Sequence, residues 1–211
     1  MARAPRRPDL LDTALELVAE RGWRGFNLAE LAGRSGRSLA EVYEELPGRR
    51  HLLVALGRRL DRAMLDLKPA ELDGLSPRER IFELVMRRLD AMAPYRGALA
   101  SLGREGRFDP DLLLTGLCNL DRATAWLLDA GGTGLGGLRA RAARHALGLV
   151  YLRVFGVWLE DDTPDRARTM AELDKRLEQA ERAARRFMPR RRRDGGGARQ
   201  GAAATGSTTT V

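Results

Sequence analysis

The side chains best placed to do chemistry are arginines gathered around two short helical patterns near the N-terminus. Arg34, Arg37, Arg49 and Arg50 lie close together in sequence, with Asn27 and Ser38 as helix-capping types and Leu39 and Tyr43 one helical turn apart. Guanidinium groups donate in a planar fork that suits phosphate oxygens. The same stretch carries Glu41, Glu44 and Glu45, whose charge opposes phosphate. One carboxylate in a DNA groove can accept from a cytosine amino group. Glu41 stands three residues after Ser38, the spacing of a capping box. Glu45 precedes Arg49 by one turn, and an ion pair between them is expected. Glu44 has no such occupation.

Other reactive types are thinly spread. His51 and His145 have no companions at metal-ligand spacing. Cys118 is the only cysteine, so an intrachain disulfide is impossible and a cytoplasmic location is expected. Among leucines it reads as a small hydrophobe. Glu160, Asp161, Asp162 and Asp165 cluster where a helix begins, a position whose dipole favours carboxylates. No phosphate-binding glycine loop, nucleophile elbow or triad pattern is present, so neither an enzyme nor a cofactor is expected. Met86, Met92, Leu117, Trp126, Tyr151 and Phe155, with Cys118 and Trp158 nearby, are candidates for a pocket holding a small hydrophobic ligand. Core and dimer packing compete for the same residues.

The elements that must position these groups are helical. Ala, Leu, Arg and Glu dominate, aromatic content is 5%, and alternating strand-like runs are absent. A first helix starts near Pro8 or Asp9, with Leu11, Ala14, Leu15 and Val18 in register and Gly22 as its stop. Trp23 and Phe26 follow in a short connection expected to pack inside. Asn27 caps a helix over LAELAGR, Ser35-Gly36-Arg37 makes a turn, and Ser38 caps LAEVYEEL. A long helix follows Pro47-Gly48. Ser76-Pro77, Asp109-Pro110 and Thr163-Pro164 each place a capping residue before a proline, predicting further helices from 77, 110 and 164. A short helix is expected over 95–104, and another over 138–160. The last is nearly apolar around its girth from 147 to 159, which predicts burial in a core or a subunit interface. The final helix runs to about 187.

The whole reads as all-α with about nine helices. A three-helix helix-turn-helix domain over 8–50 is followed by a larger helical ligand-binding and dimerisation domain over 51–188. A basic tail over 189–211, rich in Gly, Ala, Ser and Thr, reads as disordered. The net charge of +8 is uneven. Residues 1–62 hold 12 Arg against 9 Asp and Glu, residues 182–211 hold 8 Arg against a single Asp, and the remainder is slightly acidic. Arg3, Arg6, Arg7 and the run Arg190–Arg193 suit flexible phosphate-seeking arms rather than a folded basic surface. No run of about 18 apolar residues predicts a membrane span, and the N-terminal MARAPRRPD lacks the apolar core of a signal peptide.

The first sixty residues resemble the DNA-binding domain of the TetR family of bacterial regulators. ALELVAERGW, LAELAGRSG and the pattern Ser38-x-x-x-Val42-Tyr43-x-x-Leu46-Pro47 carry the likeness, with Leu52 at the fourth-helix leucine. The resemblance implies a homodimer that binds a double-stranded DNA operator and is released by ligand, as repressors of this family are. It places Asn27, Arg34, Arg37, Ser38, Leu39, Glu41, Tyr43 and Arg49 at or near DNA, with Arg49 where relatives use a lysine on a phosphate. A second likeness covers 157–181. DD-T-P-D and L-D-K-R-L there resemble the end of a ubiquinone-biosynthesis lipid-binding family (the Coq-nine type), which implies a lipid- or quinone-binding alternative that does not bind DNA.

Overall fold

The computed structural model describes residues 8–187; the N-terminal arginine arm and the tail beyond 187 lie outside the described residues. Nine α-helices make up the described chain: α1 (Leu10–Gly25), α2 (Leu28–Ser35), α3 (Leu39–Glu45), α4 (Arg49–Leu65), α5 (Pro77–Met92), α6 (Arg96–Glu105), α7 (Pro110–Ala130), α8 (Gly137–Leu159) and α9 (Ala167–Phe187). Short 3₁₀ turns join α4 to α5, α5 to α6 and α6 to α7.

Most helix starts follow from local capping. The Asp9 carboxylate accepts from the backbone N–H groups of Leu11 and Asp12 at 2.9 and 3.3 Å. Ser76 and Glu79 form a capping box with Pro77 in the first turn of α5, and Asp109 caps α7 ahead of Pro110. Each replaces a lost water contact on an otherwise unpaired N–H. Gly22 interrupts α1 with φ +76°, and the chain then makes one more turn to Gly25.

The helix expected from Pro164 starts three residues later, at Ala167. The Asp161 carboxylate takes Thr163 N–H (3.1 Å) and Oγ1 (2.5 Å) at one oxygen and Thr169 N–H (2.8 Å) and Oγ1 (2.6 Å) at the other. These four bonds hold 161–166 as a turn, which Arg166 closes at φ +53°. Burial works to raise the Asp161 carboxyl, but the threonine bonds outweigh it and hold it well below the usual carboxylate range.

One apolar core runs through all of these helices except the exposed ends. Leu10, Leu15, Leu17 and Val18 of α1, Leu31 of α2, Val42 of α3, Leu52 and Met64 of α4, Leu84 and Leu89 of α5, Leu127 of α7 and Leu173 of α9 are almost wholly buried. Each such side chain contributes about 1.5–3 kcal/mol by leaving water. α1 lies along α6, α4 packs on α5 and α7, and α8 is flanked by α7 and α9.

An ionic cluster sits inside this core. Asp61 of α4 meets Arg88 of α5 and, at 2.6 Å, Arg122 of α7; Arg88 Nε donates to the Tyr151 hydroxyl of α8 at 3.1 Å. Asn119 donates to the Leu53 carbonyl at 2.9 Å. Gly57 allows this approach, since a Cβ there would stand 2.7 Å from both Arg122 Nη2 and Asn119 Cγ. Among the described residues no helix is long and apolar enough to cross a membrane.

Candidate nucleic-acid interface

α2 and α3 form the helix-turn-helix that the sequence predicts. The Asn27 side chain accepts from Ala29 N–H at 2.8 Å and starts α2. Gly36, at φ +63° and ψ +31°, ends it in the left-handed conformation, which glycine adopts without steric cost. Ser38 then accepts from Glu41 N–H at 3.2 Å while Glu41 accepts from Ser38 N–H at 2.7 Å. This reciprocal box fixes the start of α3. Val42 and the cap residue Leu46 point into the core. The opposite side of α3 shows solvent Leu39 (61% exposed), Tyr43 (67% exposed), Ala40 and Glu44. Large apolar and aromatic groups left in water on a helix this short suit contact with base edges and thymine methyl groups.

The arginines around α3 are already engaged. Arg34 makes a two-point bridge to Glu20 at 2.8 and 3.0 Å, and the Glu20 carboxyl is held below its ordinary range mainly by that donor. Arg37 Nη1 bonds Glu45 at 2.5 Å, across the turn. This corrects the expected Glu45–Arg49 pair. Arg49 instead turns inward, with its guanidinium carbon 4.7 Å from the centre of the Trp23 ring and 6.0 Å from that of Phe26. Stacking of this kind draws on the ring quadrupole and leaves the in-plane N–H groups free. Arg50 is exposed and makes no ion pair among the described residues. Exposed pairs such as Arg34–Glu20 contribute about 0–1 kcal/mol, so a phosphate can displace the carboxylate at little cost.

Behind α3 a set of polar contacts ties the first helices to α6 and α7. Glu105, at the end of α6, accepts from Trp23 N–H at 3.2 Å, Arg24 N–H at 2.8 Å and Ser101 Oγ at 3.0 Å. The Arg24 N–H is the main cause holding the Glu105 carboxyl below its ordinary range. Asp109 accepts from the Trp23 indole at 2.8 Å and from Leu112 N–H at 3.0 Å, and the indole bond leads in depressing its pKa. Asp109 was legible as a helix cap; its bond to Trp23 was not, and Glu105 carried no sequence signal. A cavity of about 510 Å³ opens at this junction, between the first turns of α4 and α7.

The six candidate pocket residues differ in burial. Met92 and Tyr151 are buried, 3.7 Å apart from sulfur to hydroxyl, and Met86 and Phe155 pack partly buried against the core. Leu117 and Trp126 stand about half exposed on α7. Neither the junction cavity nor a smaller one of about 100 Å³ between α7 and α8 is lined by any of the six. Cys118 and His145 are also exposed. Their helices turn one side to solvent. Leu113, Leu114, Leu117 and Trp126 of α7 and Leu138, Leu149 and Leu152 of α8 are large apolar residues exposed to solvent.

No protein-family model and no curated protein matches the chain. Solved structures do. A TetR transcriptional regulator from Nitrosomonas europaea is 26% identical, with a TM-score of 0.69 over 82% of this chain and 95% of that one. A TetR-family regulator from Streptomyces coelicolor is 18% identical, with a TM-score of 0.63 over 89% and 85%. A TetR regulator from Rhodococcus is 21% identical, with a TM-score of 0.55 over 82% and 92%. The chain therefore has the all-helical fold of TetR-type transcriptional regulators. The likeness of 157–181 to a quinone-biosynthesis family has no counterpart among these three.

Proposed function

We propose that this protein is a TetR-like, DNA-binding transcriptional repressor that acts as a homodimer in the cytoplasm and leaves its operator when a small hydrophobic ligand binds. The observation that carries the reading is α3 itself. A capping box and a left-handed Gly36 hold it rigidly, while Leu39 and Tyr43 project unburied from its outer side. The likeness in shape to a TetR transcriptional regulator supports the same reading.

The parts take the following roles. α3 enters the major groove with Leu39, Tyr43 and Glu41 near base edges. Asn27, Arg34, Arg37, Ser38 and Arg49 face the backbone from the ends of α2, α3 and α4, and Arg50 adds an uncommitted cation. The uncovered leucines of α7 and α8 pair two copies, which sets the distance between two reading heads. Ligand among Met86, Met92, Tyr151 and Phe155 shifts α5 and α8 and changes that distance, so a palindromic operator no longer fits both heads. Leu117 and Trp126 belong to the dimer surface in this scheme. No step requires a catalytic group.

Electrophoretic retention of the DNA upstream of its own reading frame tests the proposal. The wild-type protein should retard a discrete fragment in excess competitor DNA, and Tyr43→Ala should not. Equal retardation of unrelated fragments by both proteins would refute it.

A further inference from the structure

The junction cavity has walls of opposite character. Arg49, Arg50 and His51 of α4 line one side; Asp109, Asp111 and Leu112 of α7 line the other, with Trp23 beside them. Three nitrogens on the basic side, Arg49 Nε, Arg49 Nη2 and His51 Nδ1, are buried and make no hydrogen bond. The Trp23 ring centre lies 4.7 Å from the Arg49 guanidinium carbon. α4 begins at Gly48 with no side-chain cap and no acidic residue in its first turn. Its dipole and its open N-terminus lack a carboxylate cap, while Arg49 acts at longer range on the Asp109 carboxylate of the opposite wall. On the other wall both Asp109 oxygens already accept, from Trp23 and from Leu112, whereas Asp111 is exposed.

We propose that this cavity binds a small oxyanion, a phosphate or carboxylate, whose body carries hydroxyl donors. The oxyanion takes the edge of Arg49 and His51 Nδ1, and the donors reach Asp111. A bound molecule spans α4 and α7 and so fixes the reading helices relative to the rest of the chain. This site is distinct from the hydrophobic ligand region of α5 and α8. A DNA backbone phosphate offers the same chemistry to Arg49, so free anion and operator compete for it. The competition rests on the DNA-binding reading; the binding of free anion does not.

Calorimetric titration with inorganic phosphate and with glycerol phosphate, at ionic strength held constant with chloride, tests the site without DNA. One saturable site per chain is expected, tighter for glycerol phosphate. Arg49→Gln should weaken it about tenfold or more, and Arg58→Gln, an exposed arginine on α4, should leave it unchanged. Because Arg49→Gln also removes the Trp23 stack, His51→Ala serves as a second variant with the stack intact, and should weaken binding as well. Saturable binding that both variants lose supports the site even where no DNA fragment is retained. Binding of equal strength in both variants, or none by about 10 mM, overturns it. Weakened DNA retention by Arg49→Gln without any free-phosphate binding also overturns it, and assigns Arg49 to the DNA backbone.

Discussion

Replacing Gly22 by alanine probes the contact that joins the N-terminal helices to α6. Gly22 has φ +76°, and a Cβ there would lie 2.5 Å from Glu105 Oε1. Two costs follow. With ψ at 168° this is extended backbone at positive φ, a region essentially confined to glycine, and it costs an L-residue about 1–3 kcal/mol. Glu105 must then swing away and weaken its bond to Trp23 N–H, which at this half-exposed position costs about 1 kcal/mol. The sum is about 2–4 kcal/mol. Gly36 provides the control, because it has φ +63° but nothing within 4 Å of its added Cβ. Gly36→Ala should cost the backbone share alone, about 1–2 kcal/mol. Urea unfolding followed by circular dichroism should show Gly22→Ala with the larger drop in midpoint, about 1 M below wild type. In a Glu105→Ala background the share due to the Glu105 contact should vanish, so Gly22→Ala should cost about 1 kcal/mol less than in the native background. Equal losses for Gly22→Ala in the native and Glu105→Ala backgrounds would refute the role given to Glu105.

Three further outcomes are expected. Asp61→Ala leaves Arg88 and Arg122 facing each other inside the core and should cost about 3–5 kcal/mol in urea unfolding; a loss under about 1 kcal/mol would show that the cluster holds nothing together. Because the folded Asp161 carboxyl titrates below its unfolded value, its stabilisation is full above about pH 4 and is lost as pH falls further. Asp161→Asn should therefore lower thermal stability at pH 7 and flatten the acid limb, and an unchanged acid limb would contradict this. Leu149→Glu with Leu152→Glu should turn a sedimenting dimer into a monomer that keeps its helical spectrum, whereas a persistent dimer would move the interface elsewhere.

How far the residues foretold this structure depended on distance along the chain. The boxes Ser38–Glu41 and Ser76–Glu79, the Asn27 cap and the Asp109-Pro110 start are complete within three or four residues, and all were legible. Thr163-Pro164 failed because Asp161 captures both Thr163 and Thr169, which delays α9 to Ala167. Glu45 found Arg37 rather than Arg49 because the turn at Gly36 folds Arg37 back beside α3, while Trp23 draws Arg49 inward. The Trp23–Asp109 bond and the Asp61 cluster join residues from separate helices, and no periodicity announces them. The apolar girth of α8 was visible, but its Leu149 and Leu152 side remains uncovered in a single chain. Only the packing of α7 and α9 shows which side, and that same packing leaves Leu117 and Trp126 outside.

Glu44 remains the charge on α3 with least excuse, exposed beside Tyr43. The most direct test of the DNA-binding claim is fluorescence anisotropy with an operator fragment selected from genomic DNA, measured across a salt series for the wild type and Glu44→Gln. The account predicts sequence-preferring binding whose logarithm falls linearly with log salt. It also predicts about two- to threefold tighter binding by Glu44→Gln, from relief of ~0.5 kcal/mol of repulsion. No sequence preference at low salt, in either protein, would contradict it.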